Sequence, residues 1–320
     1  MMNETEVLHQ TLELFGLEEA QTELLRSLNN HIYCVTAESG TQYSLRICPA
    51  EFKQRRWLED ELAWLDYLAG QNQIQVPRPV RNQQGDLLNT LSTPAGDRLS
   101  CLFEWLEGEK SSPHLTPSIM EQIGEITAHL HQAARAFPFP DKDNDFRADY
   151  TYDSTLAASH REWIQVHREE IGSENVALLL KAVDYVLEEF HKIGANRDNF
   201  GIIHADLHFG NFLVHEGQVS VIDFDQLGRG HYNFDMAVVM IELQDEPAHF
   251  STRWAHFLAG YQRVADLPFS DESELAPFIV AVDLAFLDWV YNAPNPAVRA
   301  EKMQWVPGIY ESILTTVQTS

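Results

Sequence analysis

The chain has 320 residues and carries 48 acidic against 22 basic side chains, a formal net charge of −26. Such an excess argues against nucleic acid or an anionic membrane as partner, since both require basic patches, and it favours cationic or neutral small molecules. Hydrophobic residues at 44% suffice to fill the core of two domains or of one two-lobed unit. Met1 to Glu6 lacks the basic region and apolar run of a signal peptide. The apolar stretch from Ala276 to Val290 is interrupted by Asp283 and Asp288 and is too short to span a bilayer. Three separated cysteines, Cys34, Cys48 and Cys101, form no CxxC pair, which fits a reducing, cytoplasmic compartment.

Residues 6–28 read as one or two amphipathic helices leading into a strand. Ile32 to Ala37 and Thr41 to Ile47 are rich in strand formers and flank Glu38-Ser39-Gly40, a hairpin signal. Alternation in the second strand points Tyr43, Leu45 and Ile47 one way and Ser44 and Arg46 the other. A helix over 54–69 carries Leu58, Leu62 and Leu65 on one stripe. Val76 to Pro79 is extended, and Leu87–Leu91 with Arg98–Trp105 makes a second hairpin across Pro94 to Asp97.

Polar, turn-rich residues from Glu107 to Pro113 then mark a hinge, after which helices dominate. Thr116-Pro117 suits an N-cap and first helical position. Ile119, Ile123, Ile126, Leu130, Ala133 and Phe137 form a core-facing stripe. Residues 138–150 read as a loop, and a helix from about Val176 ends at Gly194. Gly201-Ile202-Ile203 leads into the most informative stretch, Asn211–Val214 pairs with Gln218–Ile222, and 234–318 is helical again. The expected fold class is α+β and bilobal, with an antiparallel sheet lobe over residues 1–106 and a larger, mainly helical lobe over 107–320.

The chemistry concentrates in Ile203-His204-Ala205-Asp206-Leu207-His208-Phe209-Gly210-Asn211 and in Ile222-Asp223-Phe224-Asp225. Phosphoryl transfer to a hydroxyl needs one carboxylate to orient the attacking group and accept its proton. It also needs an amide oxygen and a second carboxylate to hold Mg²⁺ against the triphosphate. At these residues the chain resembles the aminoglycoside phosphotransferase and choline kinase-like family, a branch of the protein-kinase-like fold. The resemblance implies ATP and Mg²⁺ as cofactors and a small-molecule alcohol as substrate. It makes Asp206 the catalytic base, Asn211 and Asp223 the metal ligands, and Asp225 a second-ion ligand or loop organiser. His204 is expected to pack under the loop. Asp235 resembles the family's buried aspartate that ties the loop down; an ordinary helix N-cap is the other reading.

On the nucleotide side, Arg46 stands where the family's strand lysine holds the α- and β-phosphates, and Glu61 resembles the helix glutamate that pairs with that base. The phosphate-covering loop, Ser27-Leu28-Asn29-Asn30-His31, has no glycine. Tight backbone cradling is therefore weakened, although Asn29 and Asn30 can donate side-chain hydrogen bonds. Phe103-Glu104-Trp105-Leu106 is the expected hinge strand, with the backbone at Glu104 and Trp105 meeting adenine.

Three rival readings exist. A metal-dependent hydrolase would use His204, Asp206 and His208 as alternating ligands, with His129 and His131 in support, but would leave Asn211 and Asp223 without a task. A catalytically weak or inactive nucleotide-binding protein on a kinase fold is suggested by Arg46 and the glycine-free loop. A protein Ser/Thr kinase needs a peptide-docking activation loop, and the twelve positions from Asp223 to Asp235 are too few. The acceptor is expected to bear an amine, gripped by carboxylates beside aromatics. Candidates are Glu242, Asp245 and Glu246, then Asp283, Asp288, Trp289 and Tyr291; for each of these a packing or solvated role is the alternative. The sequence does not fix an oligomeric state.

Overall fold

The computed structural model describes residues 4–27, 30–49, 55–94, 96–138, 149–244 and 246–319. The chain forms two compact units. The first takes Met1–Leu115, Phe137–Arg147 and Gly210–Asp225; the second takes Thr116–Ala136, Ala148–Phe209 and Gln226–Ser320.

The first unit begins with α1 (Glu4–Phe15), β1 (Gln21–Ser27), β2 (His31–Thr36), β3 (Gln42–Pro49) and α2 (Arg55–Gln71). It continues through β4 (Pro79–Val80), β5 (Asn89–Thr93), β6 (Gly96–Glu104) and β7 (Glu109–Lys110). The second unit then supplies α3 (Pro117–Ala136), β8 (Asp149–Tyr150), α4 (Ser154–Val166), α5 (Arg168–Ile171), α6 (Ser173–Ile193) and β9 (Phe200–Ile203). The chain returns to the first unit for β10 (Phe212–His215) and β11 (Gln218–Val221). It ends in the second with β12 (Gly228–His231), α7 (Tyr232–Gln244), α8 (Phe250–Gln262), α9 (Ala276–Tyr291), α10 (Pro296–Lys302) and α11 (Val306–Thr319). The fold class is α+β, an antiparallel sheet followed by a mostly helical remainder.

The large sheet of the first unit runs β1-β2-β3-β6-β4, with β5 also on β6. Each neighbouring pair is antiparallel. The alternation read in β3 places Leu45 and Ile47 in a core with Val7 and Leu12 of α1, and with Tyr33, Val35, Leu91 and Leu102. Burial of each such side chain contributes roughly 1.5–3 kcal/mol. The opposite face meets α2, which buries Leu58, Leu62, Trp64 and Leu65. A single helix, not a longer run, precedes the sheet. Gly16 at φ +67 and the bond from Leu17 N to Leu12 O end α1 with a left-handed cap, and β1 starts at Gln21.

The polar stretch after Trp105 contains a short strand where only turns were expected. β7 pairs with β10 through Lys110–Leu213 and Glu109–Val214. Gly108 makes that approach feasible: its φ is +138, and a Cβ there would sit 3.0 Å from the Val214 carbonyl oxygen.

In the second unit α3 starts at Pro117, and the Thr116 hydroxyl accepts the Ile119 N–H at 3.3 Å, as the capping signal indicated. Ile119, Ile123, Ile126 and Leu130 are buried. α3 and α8 cross at a glycine on each side. A Cβ on Gly124 would lie 2.0 Å from the Phe257 carbonyl oxygen, and one on Gly260 would lie 1.9 Å from that of Glu121. α6 stops at Gly194, whose φ is +62. The three-stranded β8-β12-β9 sheet carries the chain to α7. Among the described residues no helix is long and apolar enough to cross a membrane.

Candidate active site

Within the first unit, the β10–β11 hairpin positions the residues expected to supply oxygen ligands. Phe212 pairs with Val221, and one step beyond, the Ile222 N–H donates to the Asn211 carbonyl at 2.9 Å. Asn211 and Asp223, twelve positions apart in sequence, thus meet at the open end of one ladder. Asn211 is buried, whereas Asp223 and Asp225 keep partial exposure. Asp223 adopts φ +63, a backbone state tolerated by Asp and found at strained functional positions. One amide and two carboxylates are hard oxygen donors, the chemistry Mg²⁺ prefers.

Above the sheet face of β3 lies a charged chain of contacts. Arg46 Nη2 donates to Glu61 Oε1 at 2.8 Å, and both side chains are buried. Arg46 Nη1 is 3.8 Å from Asp225 Oδ1, and the guanidinium lies 5.3 Å from the Phe103 ring centre. Burial disfavours the guanidinium charge, but Cys101 and Glu61 beside it outweigh that and raise its pKa overall. Glu61 is therefore no solvated face charge. Its neighbour Glu59 is exposed, and Asp60 is partly buried beside Arg56.

Asn29 lies outside the described residues. Asn30 is partly buried just ahead of β2. Glu104 ends β6 with its side chain exposed and 3.6 Å from Arg78, and its N–H donates to the Arg78 carbonyl at 2.9 Å. Trp105 follows beyond the strand, partly buried. Sequence reasoning missed Arg26: its Nη1 is 3.5 Å from Asp223 Oδ2.

Within the second unit, Asp206 projects from the loop after β9. The chain does not continue as a strand there, because Ala205 takes φ +62. His204 and His208 therefore do not line up as alternating ligands. His204 is buried, and His208 Nε2 is 3.7 Å from Asp206 Oδ2. Asp235, in the first turn of α7 and fully buried, holds this turn. Its Oδ2 accepts the His204 N–H at 3.0 Å and its Oδ1 accepts the Ala205 N–H at 2.7 Å. The aspartate lies inside the helix and bonds another segment, so an N-cap does not describe it.

His131 Nε2 is 3.2 Å from Asp235 Oδ2, and its Nδ1 is 2.9 Å from the Tyr261 hydroxyl. Burial, opposed by Asp235, pushes His131 below its usual pKa. A neutral ring then donates from Nε2 to Asp235 and accepts from Tyr261. His131 is thereby committed to the clamp, not to a metal. Among the described residues no cluster of three His, Cys, Asp or Glu side chains is placed to hold a metal ion, so the hydrolase ligand set does not form.

Of the expected acceptor contacts, Glu242 approaches the loop that carries Asp206, accepting the Phe209 N–H at 3.3 Å. Glu246 is exposed and paired with Arg253, and Asp245 lies outside the described residues. Trp289 is 44% exposed instead of packed in the core, whereas Tyr291 is buried. Asp283 does not face water; it is buried against the Ser312 hydroxyl at 2.8 Å, and its pKa is pushed up to about 7 by burial. From Asp223 to Asp235 the chain holds a 3-10 turn at Phe224–Gln226, β12 and the first turn of α7. No extended docking loop is present there.

The family model for the phosphotransferase enzyme family matches residues 21–278. An amicoumacin kinase from Bacillus subtilis is 22% identical over 87% of this chain and 79% of its own length. Among solved structures, a microcompartment-associated aminopropanol kinase is 25% identical, with a TM-score of 0.80 and 98% of both chains covered. An amicoumacin kinase in complex with AMP-PNP, Ca²⁺ and Ami shares the fold at 22% identity and TM-score 0.78, over 97% of this chain and 93% of that one. The chain belongs to the phosphotransferase enzyme family, whose small-molecule kinases transfer phosphate to hydroxyl groups.

Proposed function

We propose that this protein is an ATP- and Mg²⁺-dependent kinase that transfers the γ-phosphate to a hydroxyl of an amine-bearing small molecule. The observation that carries the proposal is the clamped loop, in which Asp235 fixes the His204 and Ala205 backbone and leaves the Asp206 side chain partly exposed. A pre-set carboxylate of this kind orients an incoming hydroxyl and takes its proton as the new oxygen–phosphorus bond forms and the bond to the leaving phosphate breaks. Positioning of this kind supplies most of the catalysis in phosphoryl transfer.

Asn211, Asp223 and Asp225 are the residues that would hold Mg²⁺, which when bound neutralises triphosphate charge. Arg46, fixed by Glu61 and Phe103, offers a planar fork to phosphate oxygens. Asn29 and Asn30 would supply polar cover, and the backbone at Glu104 and Trp105 would meet adenine. The complex of a relative of the same fold with AMP-PNP supports an adenine nucleotide.

For the acceptor, the net charge of −26, Glu242 at the catalytic loop, and a relative acting on an amino alcohol favour a cationic amine. The glycine-free phosphate loop favours a second reading, a kinase-fold protein that binds nucleotide without turnover. A coupled ADP-release screen over amino alcohols, aminoglycosides and amino acids separates the two. Turnover confined to amine-bearing alcohols is expected. Turnover confined to anionic or uncharged alcohols removes the amine, and nucleotide binding with no turnover on any acceptor favours the second reading.

A further inference from the structure

The end of β1 carries an irregularity that changes what its side chains do. Leu24 pairs with Tyr33, but the next paired residue is Arg26, opposite Ile32; Leu25 is an extra residue in the strand. Residues two apart on a regular strand share a face, and one inserted residue moves everything beyond it to the other face. Leu24 lies in the row Leu24–Tyr33–Leu45–Leu102, whose last three members belong to the core against α1. A regular strand would put Arg26 on that same apolar face. The bulge instead puts it in the row Arg26–Ile32–Arg46–Cys101, on the face that holds the phosphate-binding arginine.

The consequence is a pair of arginines on one face, each beside one aspartate of Asp223-Phe224-Asp225. Arg26 Nη1 is 3.5 Å from Asp223 Oδ2, and Arg46 Nη1 is 3.8 Å from Asp225 Oδ1. The two differ in freedom. Arg46 is buried and bonded to Glu61, whereas Arg26 is exposed with its pair open to solvent. An exposed ion pair is worth at most about 1 kcal/mol, so it exchanges readily for a stronger partner. Two strand spacings, about 10 Å, separate the backbone positions of the two arginines, a span their side chains can bridge onto one polyphosphate. Arg26 also directly precedes the loop that has no glycine.

We propose that Arg26 is a second phosphate-binding residue, turned onto the nucleotide face by the bulge at Leu25, which supplies charge beside a phosphate-covering loop whose sequence has no glycine. The assignment rests on the nucleotide reading above. On nucleotide binding the guanidinium would leave Asp223 for phosphate oxygens, which would free that carboxylate as one of the residues to hold Mg²⁺.

Calorimetric titration of ATP with Mg²⁺, and of adenosine, into wild type, Arg26→Ala, Arg26→Lys and a Leu25 deletion tests this. Arg26→Ala should weaken ATP roughly tenfold, the size of one charge-assisted hydrogen bond, and leave adenosine within about twofold. Arg26→Lys should recover part of the loss, since a point charge keeps attraction but not the fork. Deleting Leu25 joins Leu24 directly to Arg26, which then meets Ile32 in a regular ladder and keeps the Arg46 face, so ATP should bind within about threefold of wild type; a loss as large as that of Arg26→Ala would overturn the placement of Arg26 by its face. If Arg26→Ala binds ATP as tightly as wild type, the proposal is overturned while the nucleotide reading stands. If the wild type binds neither ligand, the nucleotide reading itself falls and the proposal with it.

Discussion

Replacing Asp235 by asparagine tests the loop clamp with little change in shape. The carboxylate accepts two backbone N–H groups, at 3.0 and 2.7 Å, and lies 3.2 Å from His131 Nε2. An asparagine offers one carbonyl oxygen, so its amide nitrogen must face another donor. Leaving one buried donor unmet costs about 1–3 kcal/mol, and the remaining bonds lose their charge assistance. Ala205, held at φ +62, also loses part of what keeps it in a left-handed state that costs roughly 1–2 kcal/mol. A total of about 2–4 kcal/mol follows, which at about 2–4 °C per kcal/mol lowers Tm by roughly 5–15 °C. Loss of a mere helix cap costs only about 1 kcal/mol. Differential scanning calorimetry reads the first number. Steady-state kinetics should show kcat falling far more than the KM for nucleotide, because the loop that carries Asp206 loosens. A Tm shift under about 3 °C with unchanged kcat refutes the clamp.

Glu61→Ala should cost about 3–5 kcal/mol in urea unfolding, because it strands a buried guanidinium, and it should weaken ATP binding through Arg46; a loss below 1 kcal/mol contradicts the buried pair. Gly260→Ala has no room at the α3–α8 crossing, where a Cβ would meet the Glu121 carbonyl oxygen at 1.9 Å; a drop in Tm well beyond the ~1 kcal/mol typical of point changes is expected, and an unchanged Tm contradicts that packing. Asp283 tests pH dependence. Its folded pKa of about 7 lies above the ordinary carboxylate value, so the folded state binds the extra proton. Stability from this group is therefore full below about pH 4 and lost as pH rises toward 7, by up to about 4 kcal/mol. Asp283→Asn should raise Tm at pH 8 and change it little at pH 4; equal shifts at both values contradict the assignment. His160 and His231, both pushed down to about 4 by burial, act oppositely, losing their contribution as pH falls from 6.5 toward 4.

What the sequence reveals here depends on how strongly each residue pattern constrains its surroundings. Alternation in β3 puts Arg46 opposite the core side, and the spacing of Asn211 and Asp223 anticipates the hairpin that joins them. Thr116-Pro117 marks the start of α3 because capping is local chemistry. Arg26 stays hidden because every residue of β1 is exposed: with no buried face, alternation carries no signal and a one-residue bulge leaves no trace. Asp235 is ambiguous for a related reason, since an aspartate beside a helix start is common and its partners lie thirty residues upstream. The strand β7 is only two residues of polar sequence, paired because Gly108 lets it approach β10. Trp289 faces outward although α9 is almost wholly apolar; a helix with so little periodic contrast does not disclose which side is buried.

In the proposed function, Asp206 directs phosphate from ATP to an alcohol. The most direct measurement compares wild type and Asp206→Asn for MgATP affinity and for phosphate transfer to the acceptor found by screening. A Kd within about twofold of wild type and a transfer rate lowered by several orders of magnitude are expected, because the residue positions the hydroxyl and not the nucleotide. Wild-type transfer by Asp206→Asn would contradict that role of Asp206.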